Sequence, residues 1–388
     1  MLAIRGARLF DGSSPTLVDS PIVYVDRGAV VGVESGGEPP SDAEVVDLGD
    51  VTLLPGLVDA HVHLVFDAST DVVGRLVTVD DDELLRGARV AAERALAAGI
   101  TTVRDLGDRG YVALRLRESL AGAPHTGPEV LGAGPPITAA RGHCWYLGGE
   151  ATGVEAVRAA VRSRAARGAH VIKVMTTGGE LTPGTLPHEA SYSVEVLRAA
   201  ADEAHRHGLP ITGHAHGAPG MAAAVAAGFD SIEHASFLTE DGARVDEEVF
   251  AALVESGITV SATLGALPDF PPPPRIAALL SQFSAIFGRY RSAGVPVVVS
   301  SDSGIGPGKP HDVLPYAPVM YAGAGATPAE TLRAMTSAAA VHCRLGDRKG
   351  RLAAGYDADL LAVHGDPLAD VAALRAVAGV FRAGVRVR

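Results

Sequence analysis

Eight short apolar runs, several separated by segments of helical period, occupy most of the chain after residue 56. The runs lie at residues 57–63, 101–107, 129–134, 170–177, 210–217, 231–236, 259–264 and 295–302. The helical segments lie at residues 83–98, 154–168, 193–207, 275–293 and 327–345. Parallel strands need long crossover connections, so this alternation predicts repeated βα units. Eight such units predict an α/β fold built on a (β/α)8 TIM-type barrel.

The two ends of the chain have a different character from the middle. Residues 2–10, 22–25 and 30–33 are short β-rich runs separated by Gly, Ser and Pro turn signals, and no helical period is evident among the first 55 residues. Similar runs return at residues 359–363 and 379–388. We therefore expect residues 1–55 and 350–388 to form one small β-sandwich domain beside a barrel domain of residues 56–349.

Composition excludes several classes of protein. The chain has 388 residues, is 47% hydrophobic and carries a net charge of −12, which argues against binding to nucleic-acid phosphates. No stretch resembles a signal peptide or a membrane span, and two cysteines are too few for a disulfide framework. We expect a cytoplasmic homo-oligomer with a small-molecule substrate and with neither nucleic acid nor membrane as a partner.

One lysine stands out against the composition of basic residues. The chain contains 33 lysine and arginine residues, of which only three are lysine, and Lys173 lies within the apolar run at 170–177. A buried ammonium is costly unless it is paired or neutralised, whereas a buried amine can lose its proton and react. Lys173 is therefore a candidate functional residue, although alone it could be a surface lysine in a misplaced strand.

Histidine and aspartate side chains occur where several of the predicted strands end. These residues are His61 and His63 in the first run, His214 and His216 in the fifth, His234 in the sixth and Asp302 in the eighth. Residues two apart on a strand point the same way, so each His-x-His pair can converge on one ion. Taken singly, the histidines could be hydrogen-bonded core residues and the aspartate a cap. Their joint placement at the catalytic end of one barrel favours a metal site.

Five motifs together resemble one enzyme family over nearly the whole chain. They lie at residues 55–64, 172–179, 213–217, 231–234 and 355–360. They are similar to the amidohydrolase superfamily, in particular to its imidazolonepropionase-related branch that contains binuclear Xaa-Pro dipeptidase-like and ochratoxinase-like amidases. The resemblance implies that Lys173 is carboxylated by CO2 and bridges two divalent metal ions, for which zinc is expected.

The resemblance also implies a role for each candidate residue. It assigns His61, His63 and Asp302 to one metal, His214 and His234 to the other, and carboxylated Lys173 to both. His216 then becomes a substrate-pocket residue. The order of His214 and His216 stays open, since both face the same side of the strand. The resemblance further places His143 and Tyr192 where the substrate carbonyl binds, although either could instead pack the rim.

The implied reaction is hydrolysis of an amide C–N bond by metal-activated water, with Asp302 as general acid and base. Suitable substrates are a dipeptide, an N-acyl amino acid or a related small amide. Alternatives on the same metals are a lactonase, an organophosphate hydrolase or a decarboxylase. A non-catalytic barrel that binds metal or ligand is a further alternative, although it would have no need of the acid/base carboxylate.

The loop after the third strand departs from the dipeptidase-like pattern by its bulk. It carries Arg141, Trp145 and Tyr146 around His143. Trp145 and Tyr146 could stack on a flat leaving group or simply pack the loop, and Arg141 could pair with a substrate carboxylate. His311, on the loop after the eighth strand, could reach the site, but an exposed loop histidine is the outcome we expect.

Overall fold

The chain begins with seven short strands that precede the first parallel strand of the barrel-like part. They are β1 (Leu2–Arg5), β2 (Arg8–Leu9), β3 (Val18–Asp19), β4 (Pro21–Asp26), β5 (Ala29–Ser35), β6 (Glu44–Asp47) and β7 (Val51–Pro55). This computed structural model describes all 388 residues. Strands β1, β4, β5 and β6 form one sheet in the order β5-β4-β1-β6. The run predicted as a single strand at residues 2–10 is therefore wrong in detail, because β1 and β2 belong to different sheets.

Eight strands follow, one in each of the eight predicted runs, except that β9 begins one residue before its run. They are β8 (Leu57–Val62), β9 (Ile100–Asp105), β10 (Glu129–Gly132), β11 (Ile172–Met175), β12 (Ile211–Ala215), β13 (Ser231–His234), β14 (Thr259–Thr263) and β15 (Val297–Ser300). All neighbouring pairs among them are parallel, in the orders β10-β9-β8 and β11-β12-β13-β14-β15. Parallel bridges from Val62 to Ser303 and from Ile137 to Val174 link the edges of these two sheets. This arrangement is typical of a TIM-type α/β fold.

Helices occupy the connections between the parallel strands, and three more follow the last of these strands. They are α1 (Val72–Thr78), α2 (Asp81–Ala97), α3 (Val112–Leu120), α4 (Val154–Ala166), α5 (Val194–Arg206), α6 (Ala218–Ala227), α7 (Glu247–Ser256), α8 (Pro274–Ser292), α9 (Ala317–Gly323), α10 (Pro328–Ala334) and α11 (Ser337–His342). The helices predicted at 83–98, 154–168, 193–207 and 275–293 are confirmed as α2, α4, α5 and α8. None of the helices combines the length and the apolar character needed to cross a lipid bilayer.

The helix predicted at residues 327–345 is instead two short helices. The break falls at Thr336, whose φ of −129° and ψ of −98° are not helical. The carbonyl oxygen of Met335 accepts a hydrogen bond from the backbone nitrogen of Val58 at 2.9 Å. That carbonyl is committed to the start of β8, so a long-range contact, which periodicity does not reveal, interrupts the helix.

The last strands return to the beginning of the chain. They are β16 (Leu360–His364), β17 (Val377–Arg382) and β18 (Val385–Arg386), in a sheet of order β18-β17-β16-β7-β2-β3. β16 pairs antiparallel with β7. The single strand predicted at 379–388 is divided by a turn at Ala383 and Gly384, whose φ angles are 52° and 78°. Left-handed backbone of this kind ends a strand.

The buried apolar residues show how the strands are held. A cluster of 67 buried residues, among them Ile172, Ile211 and Val299, spans the parallel strands and their helices. A separate cluster of 12 residues joins both sheets made by the chain ends, with Ile4 on one and Leu53 and Phe381 on the other. Packing on both faces of the parallel strands makes them rigid, so the side chains at their carboxyl ends are held in defined positions.

Candidate metal centre

Three of the predicted ligands meet where β8 and β15 end. Nε2 of His61 lies 3.3 Å from Nε2 of His63. Oδ1 of Asp302 lies 3.4 Å from the first nitrogen and 3.3 Å from the second. All three residues are buried. Three potential ligand atoms directed at one point are a suitable arrangement for a divalent cation.

A second group forms where β12 and β13 end. Nδ1 of His214 lies 2.9 Å from Nε2 of His234. The ring of His216 stacks on that of His234, with 4.4 Å between centroids. The two groups are adjacent, since the rings of His61 and His234 are 5.3 Å apart. Both histidines at the end of β12 thus lie beside His234, so the assignment of His214 over His216 as the ligand stays a prediction.

Lys173, on β11, is 1% exposed, and its Nζ has no hydrogen-bond partner in the protein. Burial lowers the pKa of Lys173 to about 8, although Glu233 and Asp302 act in the opposite direction. An unpartnered buried amine is costly, and a lowered pKa makes its neutral form accessible near neutral pH. These properties are those expected of a lysine whose amine is chemically modified or paired with a charged group that the protein itself does not supply.

Contacts on the far side of the histidine rings fix which nitrogen faces the site. Nδ1 of His61 donates to Oε2 of Glu233 at 2.9 Å, and Nδ1 of His63 donates to the carbonyl oxygen of Gly107 at 3.0 Å. Nδ1 of His234 lies 2.8 Å from Oγ1 of Thr263. In each ring Nε2 is left for the site, which is the tautomer expected of metal-binding histidines with this kind of support.

The electrostatic environment keeps most of these rings neutral. Burial lowers the pKa of His61 to about 4, with the charge of Lys173 acting the same way. Burial and then the neighbouring imidazoles lower the pKa values of His214 and His234 well below the usual value. His63 differs, because its contacts with Asp302 outweigh burial and raise its pKa. Neutral imidazole is the form that binds metal.

Asp302 and His234 have unusual backbone conformations. Their φ angles are 56° and 70°, in the left-handed region that non-glycine residues rarely adopt. The backbone nitrogen of Asp302 donates to the carbonyl oxygen of His61 at 2.8 Å, which helps to hold this conformation. Burial alone would raise the pKa of Asp302, but His61 and His63 outweigh it and keep the carboxylate ionised. Local strain of this kind is commonly found at functional sites.

The predicted substrate-binding residues lie in two different settings. His143 is buried, and its ring lies 4.7 Å from that of His214. Gly179 permits this position, because a Cβ there would lie 2.4 Å from Nε2 of His143. Tyr192 is half-buried, and its hydroxyl donates to the carbonyl oxygen of Ala151 at 2.7 Å. The structure therefore joins His143 to the histidine cluster but engages the Tyr192 hydroxyl elsewhere.

The bulky loop after β10 packs against itself and against the loop after β11. The guanidinium of Arg141 lies 4.0 Å from the ring centroid of Trp145, a cation–π contact. The hydroxyl of Tyr146 donates to the carbonyl oxygen of Leu181 at 3.4 Å. The proposed uses of Arg141 for a carboxylate and of Trp145 for a flat group stay predictions, and each would compete with the contact between these two side chains.

One expectation about the surrounding loops is wrong, and several supporting residues were missed. His311 is not exposed: it is 5% accessible, and its Nε2 donates to the carbonyl oxygen of His63 at 3.0 Å. Spacing along the chain could not show that His311 packs against Gly304, where a Cβ would lie 3.1 Å from Nε2 of His311. Glu233 and Lys309 also contact this region but had no assigned role. The presence of a charged residue, Glu233, within an apolar strand was the one feature of the sequence that could have indicated a supporting role.

Asp59 is a further supporting residue that sequence reasoning passed over. Its carboxylate accepts hydrogen bonds from the backbone nitrogen and the hydroxyl of Ser301, at 3.0 and 2.5 Å. Asp59 precedes His61 by two positions, as His61 precedes His63. The two-residue period that relates the histidines therefore already placed Asp59 on the same side of the strand.

Comparison with known proteins gives a consistent result. A family model described as "Amidohydrolase family" matches residues 52–387. Ochratoxinase from Aspergillus niger is 30% identical over 376 residues, covering 86% of this chain and 75% of that protein. Imidazolonepropionase from Salinispora tropica is 26% identical over 364 residues, covering 87% and 84%. The crystal structure of a Xaa-Pro dipeptidase with methionine in its active site superposes with a TM-score of 0.89 at 28% identity, covering 100% and 99% of the two chains.

Proposed function

The chain belongs to the amidohydrolase family and is a hydrolase acting on C–N bonds, and from this premise we propose that it is a binuclear metal-dependent enzyme that cleaves a small amide. The observation that carries the proposal is the adjacency of two histidine-rich groups beside an unpartnered buried lysine. One metal would explain only one of these groups.

The residues fit two divalent cations of the zinc type. We assign His61, His63 and Asp302 to one ion and His214 and His234 to the other, because imidazole nitrogens converge in each group and a carboxylate joins them in the first. Carboxylation of Lys173 would replace a buried cation with an anionic group able to hold both ions. The unpartnered Nζ and its lowered pKa support this assignment, since only a neutral amine can attack CO2.

When bound, such ions would polarise a substrate carbonyl and lower the pKa of a water between them. The chain itself supplies the proton carrier. Asp302 is ionised, and its Oδ1 lies 3.4 Å from Nε2 of His61, so its carboxylate can accept a proton from the attacking water. The same carboxyl group can then deliver that proton to the departing nitrogen, which leaves as a neutral amine.

We place the substrate carbonyl next to His143. Its buried ring lies against His214, and its Nδ1 has no protein partner. Burial and then neighbouring charges lower the pKa of His143 to about 3, so the neutral ring would donate one hydrogen bond to the carbonyl or its developing oxyanion. His216 and Tyr192 complete the proposed pocket, Tyr192 through its ring, because its hydroxyl is already bonded to Ala151.

The substrate class follows from the relatives together with the site. The Xaa-Pro dipeptidase is named for the peptide bond before a proline. Ochratoxinase is the second relative that we use to infer an amide substrate. We propose a dipeptide or an N-acyl amino acid as the substrate of this chain. Both present a carbonyl joined to a nitrogen that must be protonated on leaving, which matches the role given to Asp302.

The proposed architecture divides the chain into two domains. We propose that β8 to β15 close into one (β/α)8 barrel of residues 56–349, supported by the two bridges between their sheet edges. Residues 1–55 and 350–388 would form the β-sandwich domain, supported by the 12-residue core that their two sheets share. Assembly into a homo-oligomer remains a prediction.

The proposal is tested by reconstituting metal-free protein with Zn²⁺ and screening dipeptides, N-acyl amino acids, lactones and phosphotriesters. We expect close to two equivalents of metal and hydrolysis of an amide. Turnover of lactones or phosphotriesters alone would overturn the amide assignment. Metal binding without turnover of any class would favour a non-catalytic barrel.

A further inference from the structure

Lys309 connects the ends of two strands that support different halves of the site. Its Nζ donates to the carbonyl oxygen of Ser301 at 2.6 Å and to that of Thr263 at 3.2 Å. Thr263 is the last residue of β14, and Ser301 follows the last residue of β15. One ammonium therefore joins two backbone segments that are 38 positions apart in the chain.

Each of these carbonyls belongs to a residue that orients a candidate ligand. Ser301 immediately precedes Asp302, which belongs to the first group. The side chain of Thr263 contacts Nδ1 of His234, which belongs to the second group, at 2.8 Å. Lys309 thus bonds to one residue beside each of the two groups, Ser301 beside Asp302 and Thr263 beside His234.

The peptide before Asp302 needs such support, because it lies beyond the regular hydrogen bonds of β15 and leads into a left-handed residue. Asp59 holds the backbone nitrogen of Ser301 at 3.0 Å, and Lys309 holds its carbonyl oxygen. The two peptides that flank Ser301, immediately before the unusual φ of Asp302, are therefore restrained by charged groups. Hydrogen bonds to charged groups are stronger than neutral ones.

The loop that carries Lys309 is itself closed by the backbone. The nitrogen of Gly304 donates to the carbonyl oxygen of Lys309 at 2.7 Å, and the nitrogen of Lys309 donates to that of Gly306 at 2.8 Å. A short turn of this kind fixes where the side chain starts. A lysine ammonium is a compact donor that can serve two carbonyls from one atom, whereas a guanidinium distributes its donors over a planar fork.

We propose that Lys309 is a positioning residue that clamps the carboxyl ends of β14 and β15, and thereby sets Asp302 and His234 relative to each other across the two halves of the site. The inference rests on the proposed function for its catalytic consequence. Its structural part, the restraint of two strand ends by one ammonium, holds for the metal-free protein as well.

The first test is hydrogen–deuterium exchange of metal-free wild type, Lys309→Met and Lys349→Met. Lys349 is a matched control, because it is a buried lysine paired with Asp359 at 2.5 Å in a different charge network. In Lys309→Met, peptides covering residues 262–266 and 300–304 should exchange about tenfold faster or more, as expected on losing hydrogen bonds to a charged group. Lys349→Met should leave both peptides unchanged.

Wild-type exchange at both peptides in Lys309→Met would overturn the clamp. Should that variant fail to fold, Lys309→Arg retains a cation and provides the same comparison. Its fork should hold one carbonyl better than the other, so one of the two peptides should exchange faster than in wild type. Wild-type protection of both peptides in Lys309→Arg would contradict the need for a point donor.

The second test uses zinc-loaded protein and separates this inference from the proposed function. In Lys309→Met we expect kcat to fall about 10- to 100-fold, the usual effect of altering a residue that supports metal ligands, with a smaller change in KM. Lys349→Met should keep kcat. Absence of metal and activity in wild type would refute the proposed function, whereas wild-type kcat in Lys309→Met would refute the catalytic role of the clamp.

Discussion

The carboxylate of Glu233 accepts a hydrogen bond from Nδ1 of His61 at 2.9 Å, and both side chains are almost completely buried. The same carboxylate accepts from Nη2 of Arg104 at 3.1 Å and from the hydroxyl of Thr212 at 2.7 Å. Burial would raise the pKa of Glu233, but His61 and Arg104 outweigh burial and hold the pKa well below its usual value. A fully bonded carboxylate thus fixes the ring of a proposed metal ligand.

Glu233→Gln should weaken metal binding about 10- to 100-fold, because the amide has one acceptor oxygen and cannot serve both His61 and Arg104. Isothermal titration of metal-free protein with Zn²⁺ measures the change. The matched control is Glu247→Gln, which removes an exposed carboxylate paired with Arg289 and should leave affinity unchanged. Equal affinities for the two variants would show that Glu233 does not support the site.

Lys173→Ala should lose most of the bound metal, because the proposed anionic bridge between the ions disappears. Metal analysis of protein purified in the presence of Zn²⁺ and bicarbonate provides the measurement, with Lys349→Met as the lysine control. Mass spectrometry under non-denaturing conditions should show the additional mass of CO2 on wild type only. Full metal content and activity in Lys173→Ala would refute the bridge.

Asp302→Asn should retain much of the metal yet lose turnover about 10²- to 10⁴-fold, the usual contribution of a general acid or base. The amide keeps one oxygen near His61 and His63 but cannot accept the proton of the attacking water. Steady-state kinetics together with metal analysis distinguish the two effects. Turnover close to wild type would move the base to another residue.

Gly179→Ala should lower activity while sparing metal binding, because a Cβ at that position would lie 2.4 Å from Nε2 of His143 and would displace the ring. If His143 binds the substrate carbonyl, kcat/KM should fall by about tenfold or more. The control is Gly122→Ala, where a Cβ meets nothing within 4 Å. An unaffected kcat/KM in Gly179→Ala would argue that His143 only packs against His214.

Acid should weaken the contact between β10 and the end of the chain. Burial would raise the pKa of Glu129, but hydrogen bonding from Arg348 and the charge of Lys349 lower it to about 2. A lowered folded-state pKa contributes stability that is present above about pH 4.3 and is lost as the pH falls towards 2. The contribution at pH 6 is on the order of 2–3 kcal/mol.

Urea unfolding of metal-free protein at pH 6 and pH 3 tests this expectation. Glu129→Gln should lower the free energy of unfolding at pH 6 and should shrink its loss between the two pH values. Glu44→Gln, which removes an exposed carboxylate on β6, should retain the wild-type dependence on pH. A Glu129→Gln variant with the full wild-type loss would place the acid-sensitive group elsewhere.

Periodicity was sufficient for the elements that depend on local burial. Each of the eight parallel strands lies in a predicted apolar run to within one residue, because a strand covered on both faces needs continuous apolar sequence. Where a predicted element was divided, the cause did not show in the hydrophobic period. The carbonyl oxygen of Met335 accepts a hydrogen bond from the distant Val58 and is not available to continue its own helix, and the last predicted strand turns at Ala383 and Gly384, whose backbone is left-handed.

The candidate ligands could be identified from the sequence, since the spacing of residues along a strand and the position where the strand ends are local properties. His61, His63 and Asp302 do lie together, as do His214, His216 and His234. Their roles as ligands remain predictions. Sequence did not reveal whether a loop residue would be buried, and His311 therefore came out opposite to the expectation.

By itself, the sequence determined the succession of βα units, the residue types at their strand ends and the isolation of one lysine in an apolar strand. Only the tertiary structure decided which groups support those residues. Glu233 and His61 are 172 positions apart, and Lys309 reaches Thr263 across 46. Pairings of this kind depend on how strands pack side by side, and hydrophobic periods report only which face of each strand is buried.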